Sequence, residues 1–226
     1  MLTEVPFWIN MLYVALAFLT VYWFWYANNY EPKVLYIILA LFLFQSAMAL
    51  SGFLLKTDFV PPPIMLSVFP SIAIMLAMFL TRKGRAHHET INLERLHYLH
   101  TIRIPVEFFL VYLFHQGFAT EMQTFEGANF DVISGISAPF IAYFGFTKKK
   151  LPLWLLIGWN AICAILLLII IVISVLSFPT PFQQLSIGNP STAMLYFPYN
   201  LLASLIAPLA LYSHFIALSR LLKPKH

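Results

Sequence analysis

Charge is scarce in this sequence. Only 10% of its 226 residues are Asp, Glu, Lys or Arg, whereas 61% are hydrophobic. Soluble domains carry about 25% charged residues, so this composition excludes an ordinary soluble domain. The formal net charge of +4 is explained by cations in short loops that orient the chain in a membrane. We therefore expect membrane lipids, and no nucleic acid, as partners.

Cysteine and the common catalytic motifs are also missing. The single cysteine, Cys163, excludes an internal disulfide, and no CxxC or Cys/His spacing indicates a zinc site. Walker A, GxSxG, HExxH and GxGxxG patterns are absent, as are desaturase-type histidine boxes. No internal repeat of fixed period is present. The sequence therefore gives no basis for deciding whether the protein is an enzyme.

Long apolar segments dominate instead. Seven of them reach or approach the roughly 20 residues that cross a bilayer. They are residues 7–26, 35–55, 62–81, 97–117, 129–146, 152–176 and 193–222. We predict an all-α, polytopic membrane helix bundle that forms one integral membrane domain over residues 1–226. The first segment lacks the basic flank and cleavage site of a signal peptide, so we interpret it as a retained helix. The last contains no lysine for a retinal Schiff base.

The loop charges predict the orientation of this bundle. With the N-terminus outside and the C-terminus inside, all but two of the 13 Lys and Arg residues fall on the inner side. The inner residues are Lys33, Arg82, Lys83, Arg85, Arg95, Lys148, Lys149, Lys150, Arg220, Lys223 and Lys225. The outer loops hold Lys56, and Arg103 lies within the fourth segment. This asymmetry matches the positive-inside rule.

The fourth segment carries an unusual polar stripe. On a helical projection five residues fall within roughly 120° of arc. They are His97, His100, Arg103, Glu107 and His115. Ionisable groups in hydrocarbon are costly, so the stripe should face the interior of the bundle.

Arg103 and Glu107 are spaced four residues apart and are expected to form an ion pair on one helix face. Glu107 lies about 15 Å from the inner boundary, near the midplane. Pro105 deprives the Thr101 carbonyl of its usual donor and predicts a kink. The pair has two interpretations, a functional group that handles an ion or solute and a purely structural pair that fixes helix register.

Polar residues of other segments reach similar depths. Asn200, Ser204 and His214 share one face of the last segment, and Asn160 enters from the same side as His214. A cluster of His100, Arg103, Asn160 and His214 follows if the fourth, sixth and seventh segments are neighbours. His97, His100 and His214 are also candidate ligands for a metal or a haem b, although we predict no cofactor.

The outer mouth is the second informative region. Asn129 is expected to cap the fifth helix, with Asp131 in its first turn. Ser134 and its small neighbours serve either close helix packing or a ligand. Asp131 and His115 would join acidic loop residues in a cation-attracting vestibule. The candidate binding residues are therefore Glu107, Arg103, His100, His115, Asp131, Ser134, Asn160, Asn200 and His214.

Two stretches carry a resemblance. TFEGANFDVISGISAPF (Thr124–Phe140) and FPTPFQQLSIGNPSTAMLYFPYN (Phe178–Asn200) resemble segments of a family of multi-pass proteins from Bacteroidota-type bacteria. The resemblance implies a bacterial inner membrane location and assigns no activity or catalytic residue.

Three functions remain open from the sequence. The first is a bundle that binds or translocates a small solute or ion, with protonation of Glu107 as the coupling step. The second is a membrane redox or metal protein that uses His100 and His214. The third is a non-catalytic sensor or accessory subunit whose stripe meets a partner's helix. The oligomeric state is not predicted.

Overall fold

A computed structural model describes residues 1–223, and every regular element in this part of the chain is a helix. The α-helices are α1 (Phe7–Ala27), α2 (Pro32–Leu50), α3 (Pro63–Leu80), α4 (Arg82–Thr90), α5 (Leu93–Leu99), α6 (Arg103–His115), α7 (Val132–Ala142), α8 (Leu153–Ser177) and α9 (Ala207–Leu221). Shorter turns are of the 3₁₀ type at Phe53–Leu55, His100–Ile102, Glu121–Gln123 and Ala193–Leu195, and of the π type at Tyr143–Thr147 and Leu202–Ile206. The predicted helical class is confirmed.

Five helices are long and apolar enough to cross a membrane. They are α1, α2, α3, α8 and the continuous helix Leu202–Leu221, which joins a π turn to α9. The bounds of α1, α3 and α8 lie within one residue of the predicted segments, whereas α2 begins and ends several residues earlier than the predicted 35–55. The last begins later than predicted, because a 3₁₀ turn and an irregular stretch occupy residues 193–201. Lys225, assigned above to the inner side, lies outside the described residues.

The predicted fourth and fifth segments differ from these five. The fourth is divided into α5 and α6 by the 3₁₀ turn, although the chain stays helical from Leu93 to His115. Asn92 caps its start, and the Asn92 side chain accepts the Arg95 N–H at 3.0 Å. The fifth is short, because α7 and its π turn together cover only Val132–Thr147.

Helices α5 and α6 occupy the centre of the bundle. Helix α5 packs against α1, α7 and α9, while α8 lies along α9. The ring of Tyr13 in α1 lies 4.9 Å from those of Phe109 and Tyr199, which ties α1 to α6 and to the segment before the last helix. Large apolar side chains such as Leu43 and Trp154 remain exposed on the outside, as suits contact with lipid. Four of the five residues of the polar stripe, His97, His100, Arg103 and Glu107, thus lie inside.

Candidate functional site

The site begins where the central helix is interrupted. Pro105 has no N–H to donate to the Thr101 carbonyl, and the preceding turn, His100–Ile102, is 3₁₀. Side chains three residues apart eclipse one another in a 3₁₀ helix, so His100 and Arg103 project from one edge. Both are buried, with 1% and 5% of their surface exposed. The interruption therefore places the imidazole of His100 and the guanidinium of Arg103 close together in the interior of the bundle.

Arg103 forms an ion pair with Asp131, not with Glu107. Its Nη1 lies 2.6 Å from Oδ1 of Asp131, and the two side chains are 5% and 10% exposed. Ser134 donates to the same carboxylate oxygen at 3.3 Å. The expected Arg103–Glu107 pair is thus corrected, because the guanidinium reaches across to α7 instead of along its own helix. Sequence spacing shows which groups share a face but not which neighbour comes closer.

A glycine allows α7 to approach Arg103 this closely. A Cβ atom at Gly135 would lie 3.0 Å from Cγ1 of Ile104 and 3.2 Å from Cβ of Arg103. Such distances are shorter than ordinary van der Waals contact. The small-residue segment of α7 therefore serves close helix packing, one of the two roles predicted for it.

A chain of hydrogen bonds runs from Arg103 to the Leu93 carbonyl, and each donor and acceptor in it can be assigned. A guanidinium can only donate, so Arg103 Nη2 donates to Nε2 of His214 at 3.0 Å. His214 then carries its proton on Nδ1 and donates to Oδ1 of Asn160 at 3.0 Å. Asn160 Nδ2 donates to Nε2 of His97 at 2.9 Å, and His97 Nδ1 donates to the Leu93 carbonyl at 2.6 Å. Both histidines are consequently neutral in this arrangement, each with its proton on Nδ1.

His100 completes the cluster by stacking. Its ring lies parallel to that of His214, with an interplanar angle of 8° and a centroid distance of 3.9 Å. Trp159 packs against it at 5.8 Å. His100 Nδ1 and Arg103 Nε are buried and have no hydrogen-bond partner within residues 1–223. The predicted group of His100, Arg103, Asn160 and His214 is therefore brought together, with two polar atoms left unpaired.

Glu107 is held by the loop that precedes α7. Its Oε1 accepts the Phe125 N–H at 2.7 Å, and its Oε2 accepts from Nδ2 of Asn129 at 2.6 Å. Asn129 Oδ1 in turn accepts the Asp131 N–H at 3.1 Å. Asn129 therefore bridges the two carboxylate sites and connects Glu107 to the ion pair.

Two expectations for the outer mouth are wrong, those for Asn129 and Asp131. Asn129 does not cap α7, because that helix begins only at Val132 and its first turn has no side-chain cap. Asp131 is buried against Arg103 and does not line a vestibule. His115 stays at the surface, where its side chain is 60% exposed and lies 4.0 Å from Glu126. The interior network therefore excludes His115.

Sequence reasoning missed the roles of Asn129 and Trp159. The sequence predicts Asn129 only as a helix cap, and nothing in it marks the loop that folds back onto Glu107. Trp159 packs on the histidines and donates from Nε1 to Ser137 Oγ at 2.9 Å, which links α8 to α7. Its place beside Asn160 in the sequence was the one available signal.

Asn200 belongs to a separate polar cluster. Its Nδ2 donates to the Gln45 carbonyl at 3.0 Å. Pro208 has no N–H for the Ser204 carbonyl, and this carbonyl accepts instead from Gln45 Nε2 at 2.9 Å and from Ser71 Oγ at 2.6 Å. The cluster joins α2, α3 and the π turn before α9, and it compensates the interrupted helix.

The histidines do not fit a bis-histidine haem. The stacked rings of His100 and His214 leave no space for a porphyrin between them. Both ring nitrogens of His97 and of His214 already have protein partners. Within residues 1–223 no three His, Cys, Asp or Glu residues gather as metal ligands. The arrangement favours a hydrogen-bonded network over ligation.

The network has unequal charges. It contains one guanidinium, Arg103, and two carboxyl groups, Glu107 and Asp131, while its histidines are held neutral. Arg103 pairs with Asp131, and Glu107 makes no ion pair within the described part of the chain. The sequence of the chain matches no protein-family model, no curated protein and no solved structure.

Proposed function

We propose that the chain is a single membrane domain of seven crossing segments in a bacterial inner membrane, with its N-terminus outside and its C-terminus inside. The five long apolar helices support membrane insertion. The helical run from Leu93 to His115 is about 35 Å long, enough for a sixth crossing. Its charged groups are satisfied by protein contacts, as lipid requires. The short α7 with its π turn supplies the remaining crossing, which is the fifth in chain order. The loop charges support the orientation.

We further propose that the domain binds or translocates a small cation, with the proton as the simplest case. The observation that supports this is the charge balance of the buried network. An unpaired charge in a low-dielectric interior costs several kcal/mol. Asp131 is neutralised by Arg103, whereas Glu107 has only two N–H donors. A proton or a small cation bound at Glu107 makes the network neutral.

The position of Glu107 suits exchange with the outer side. Its carboxylate contacts the backbone of Phe125, a half-exposed residue of the loop that leads to the surface. Movement of this loop would open Glu107 to water, and closure would return it to the interior. The Arg103–Asp131 pair and the directed chain to His97 then form the fixed inner side of the site. The coupling step is the gain and loss of a positive charge at Glu107.

The test is ion flux in liposomes that contain the purified protein and a pH-sensitive dye. Glu107→Gln keeps the size of the side chain and removes its ability to ionise, so proton uptake should fall to the level of protein-free liposomes. Glu126→Gln removes an exposed carboxyl of the same outer loop and should leave uptake unchanged. Flux in Glu107→Gln equal to that of the unaltered protein would contradict the role of Glu107, and an unaltered protein with no more flux than protein-free liposomes would favour a non-transporting accessory subunit.

A further inference from the structure

A second feature lies on the outside of the bundle, at a cleft between α1, α2, α3 and α9. The cleft is shallow, with a cavity volume of about 70 Å³, below the roughly 300–1,000 Å³ typical of enclosed ligand sites, so it can hold only part of a ligand. Its walls are almost entirely apolar. They include Ile37, Leu41, Ile74, Met75, Met78 and Leu209. Ile37 and Ile74 are exposed, so the cleft opens sideways, toward the lipid.

One end of the cleft is polar. Asn28 and His87 lie there, and His87 Nε2 is 2.9 Å from Oδ1 of Asn28. This end is where α1 turns into α2 and where α3 passes into α4. Asn28 and His87 therefore mark the level at which the cleft leaves the hydrocarbon.

Three cations lie next to residues of the cleft wall. Lys33 directly precedes the wall residue Val34. Arg82 and Lys83 begin α4 beside Gly84, where an added Cβ would clash with the carbonyl oxygen of the wall residue Met78, so the start of α4 packs against the wall. All three are exposed, and none forms an ion pair within residues 1–223. Arg85, by contrast, donates to the Phe79 and Leu80 carbonyls at the end of α3. The cations without an ion pair are thus adjacent to residues of the cleft wall.

The N-terminus of α4 adds the positive partial charge of its helix dipole. Thr81 accepts the Gly84 N–H through its side chain at 3.1 Å, so Arg82 and Lys83 occupy the first turn of the helix. Basic residues at a helix N-terminus are unfavourable by themselves, because that end of the helix dipole is already positive. An anion placed there would remove this repulsion and would meet free backbone N–H groups.

We propose that the cleft binds an anionic phospholipid. One acyl chain lies along the apolar walls. The phosphate lies against Arg82 and Lys83 at the start of α4 and against Lys33 near the start of α2. The charge and the apolar depth are both needed, which distinguishes a lipid from a free anion. The inference requires the protein to be in a membrane and does not depend on the ion site at Glu107.

The experiment uses the full chain in detergent micelles and native mass spectrometry to measure lipid retention. Phosphatidylglycerol is compared with phosphatidylcholine, and inorganic phosphate is the headgroup control. We expect phosphatidylglycerol to bind at least roughly tenfold more tightly than phosphatidylcholine. Inorganic phosphate should bind weakly and should not displace it. Equal retention of the two lipids, or displacement by phosphate, would overturn the proposal.

Variants separate the two parts of the site. Arg82→Gln with Lys83→Gln should abolish the preference for phosphatidylglycerol, whereas Lys149→Gln with Lys150→Gln makes the same charge change in another loop and should preserve it. Ile37→Trp, at an exposed wall position, should reduce retention of both lipids by filling the cleft. A preference that survives the first pair, or retention unaffected by Ile37→Trp, would refute the assignment. Proton uptake through Glu107 should be normal in all three variants.

Discussion

Asp131→Asn tests whether the buried ion pair holds the centre of the bundle together. The substitution keeps the size of the side chain but leaves the Arg103 guanidinium, 5% exposed, without a countercharge at 2.6 Å. Breaking a buried pair by removing one partner costs roughly 3–5 kcal/mol, because the remaining charge is uncompensated. We therefore expect a loss of that size in the free energy of unfolding. Tryptophan fluorescence during denaturant titration in mixed micelles measures it.

The same assay on two further proteins decides whether pairing is the cause. Arg103→Met combined with Asp131→Asn removes both charges, so it should be less destabilised than Asp131→Asn alone. Glu126→Gln breaks the exposed contact with His115 at 4.0 Å and should change stability by no more than about 1 kcal/mol. A loss below about 1 kcal/mol in Asp131→Asn, or a double variant at least as destabilised as Asp131→Asn, would refute the reasoning.

Other substitutions address other contacts in the same unfolding assay. Gly135→Ala should destabilise by about 1–3 kcal/mol, because its Cβ would meet Ile104 at 3.0 Å. Gly158→Ala, with no neighbour within 4 Å, should be neutral or stabilising; equal losses would refute the packing argument. Gln45→Leu removes a buried donor to three oxygen atoms and should cost about 1–3 kcal/mol; an unchanged midpoint would contradict it. Burial, and secondarily the charge of His87, lowers the pKa of His88 to about 4 from its usual 6.5. The unfolded chain then binds more protons between these values, so stability should fall as pH drops from 6.5 toward 4, and His88→Gln should weaken that dependence; the same slope in both proteins would contradict the assignment.

The sequence was sufficient for the features that depend on local periodicity. Runs of apolar residues predicted α1, α3 and α8 to within one residue of their observed bounds, and predicted α2 with its bounds shifted by several residues. The helical projection showed that His100, Arg103 and Glu107 share a face, and all three are buried. Such features depend only on helical geometry and on the cost of placing charge in lipid.

The residues that Arg103 and Glu107 contact could not be predicted from helical periodicity. Arg103 pairs with a residue 28 positions away, and Glu107 with a loop that folds back on it. Both contacts depend on how closely neighbouring helices approach, which Gly135 and the 3₁₀ turn at His100 control. A helical wheel assumes an uninterrupted α-helix and gives no distance between helices. It therefore favoured the Arg103–Glu107 pair within one helix over the observed contacts.

The central claim, for the proton as the bound cation, is that Glu107 gains and loses a proton. Infrared difference spectroscopy of the protein in lipid films, recorded while the bathing pH is stepped, measures this directly through the C=O stretch of a protonated carboxyl group. We predict a pH-dependent carboxyl band that is present in the unaltered protein and in Glu126→Gln and is absent in Glu107→Gln. A band that persists unchanged in Glu107→Gln, or no pH-dependent carboxyl band in the unaltered protein, would contradict the account.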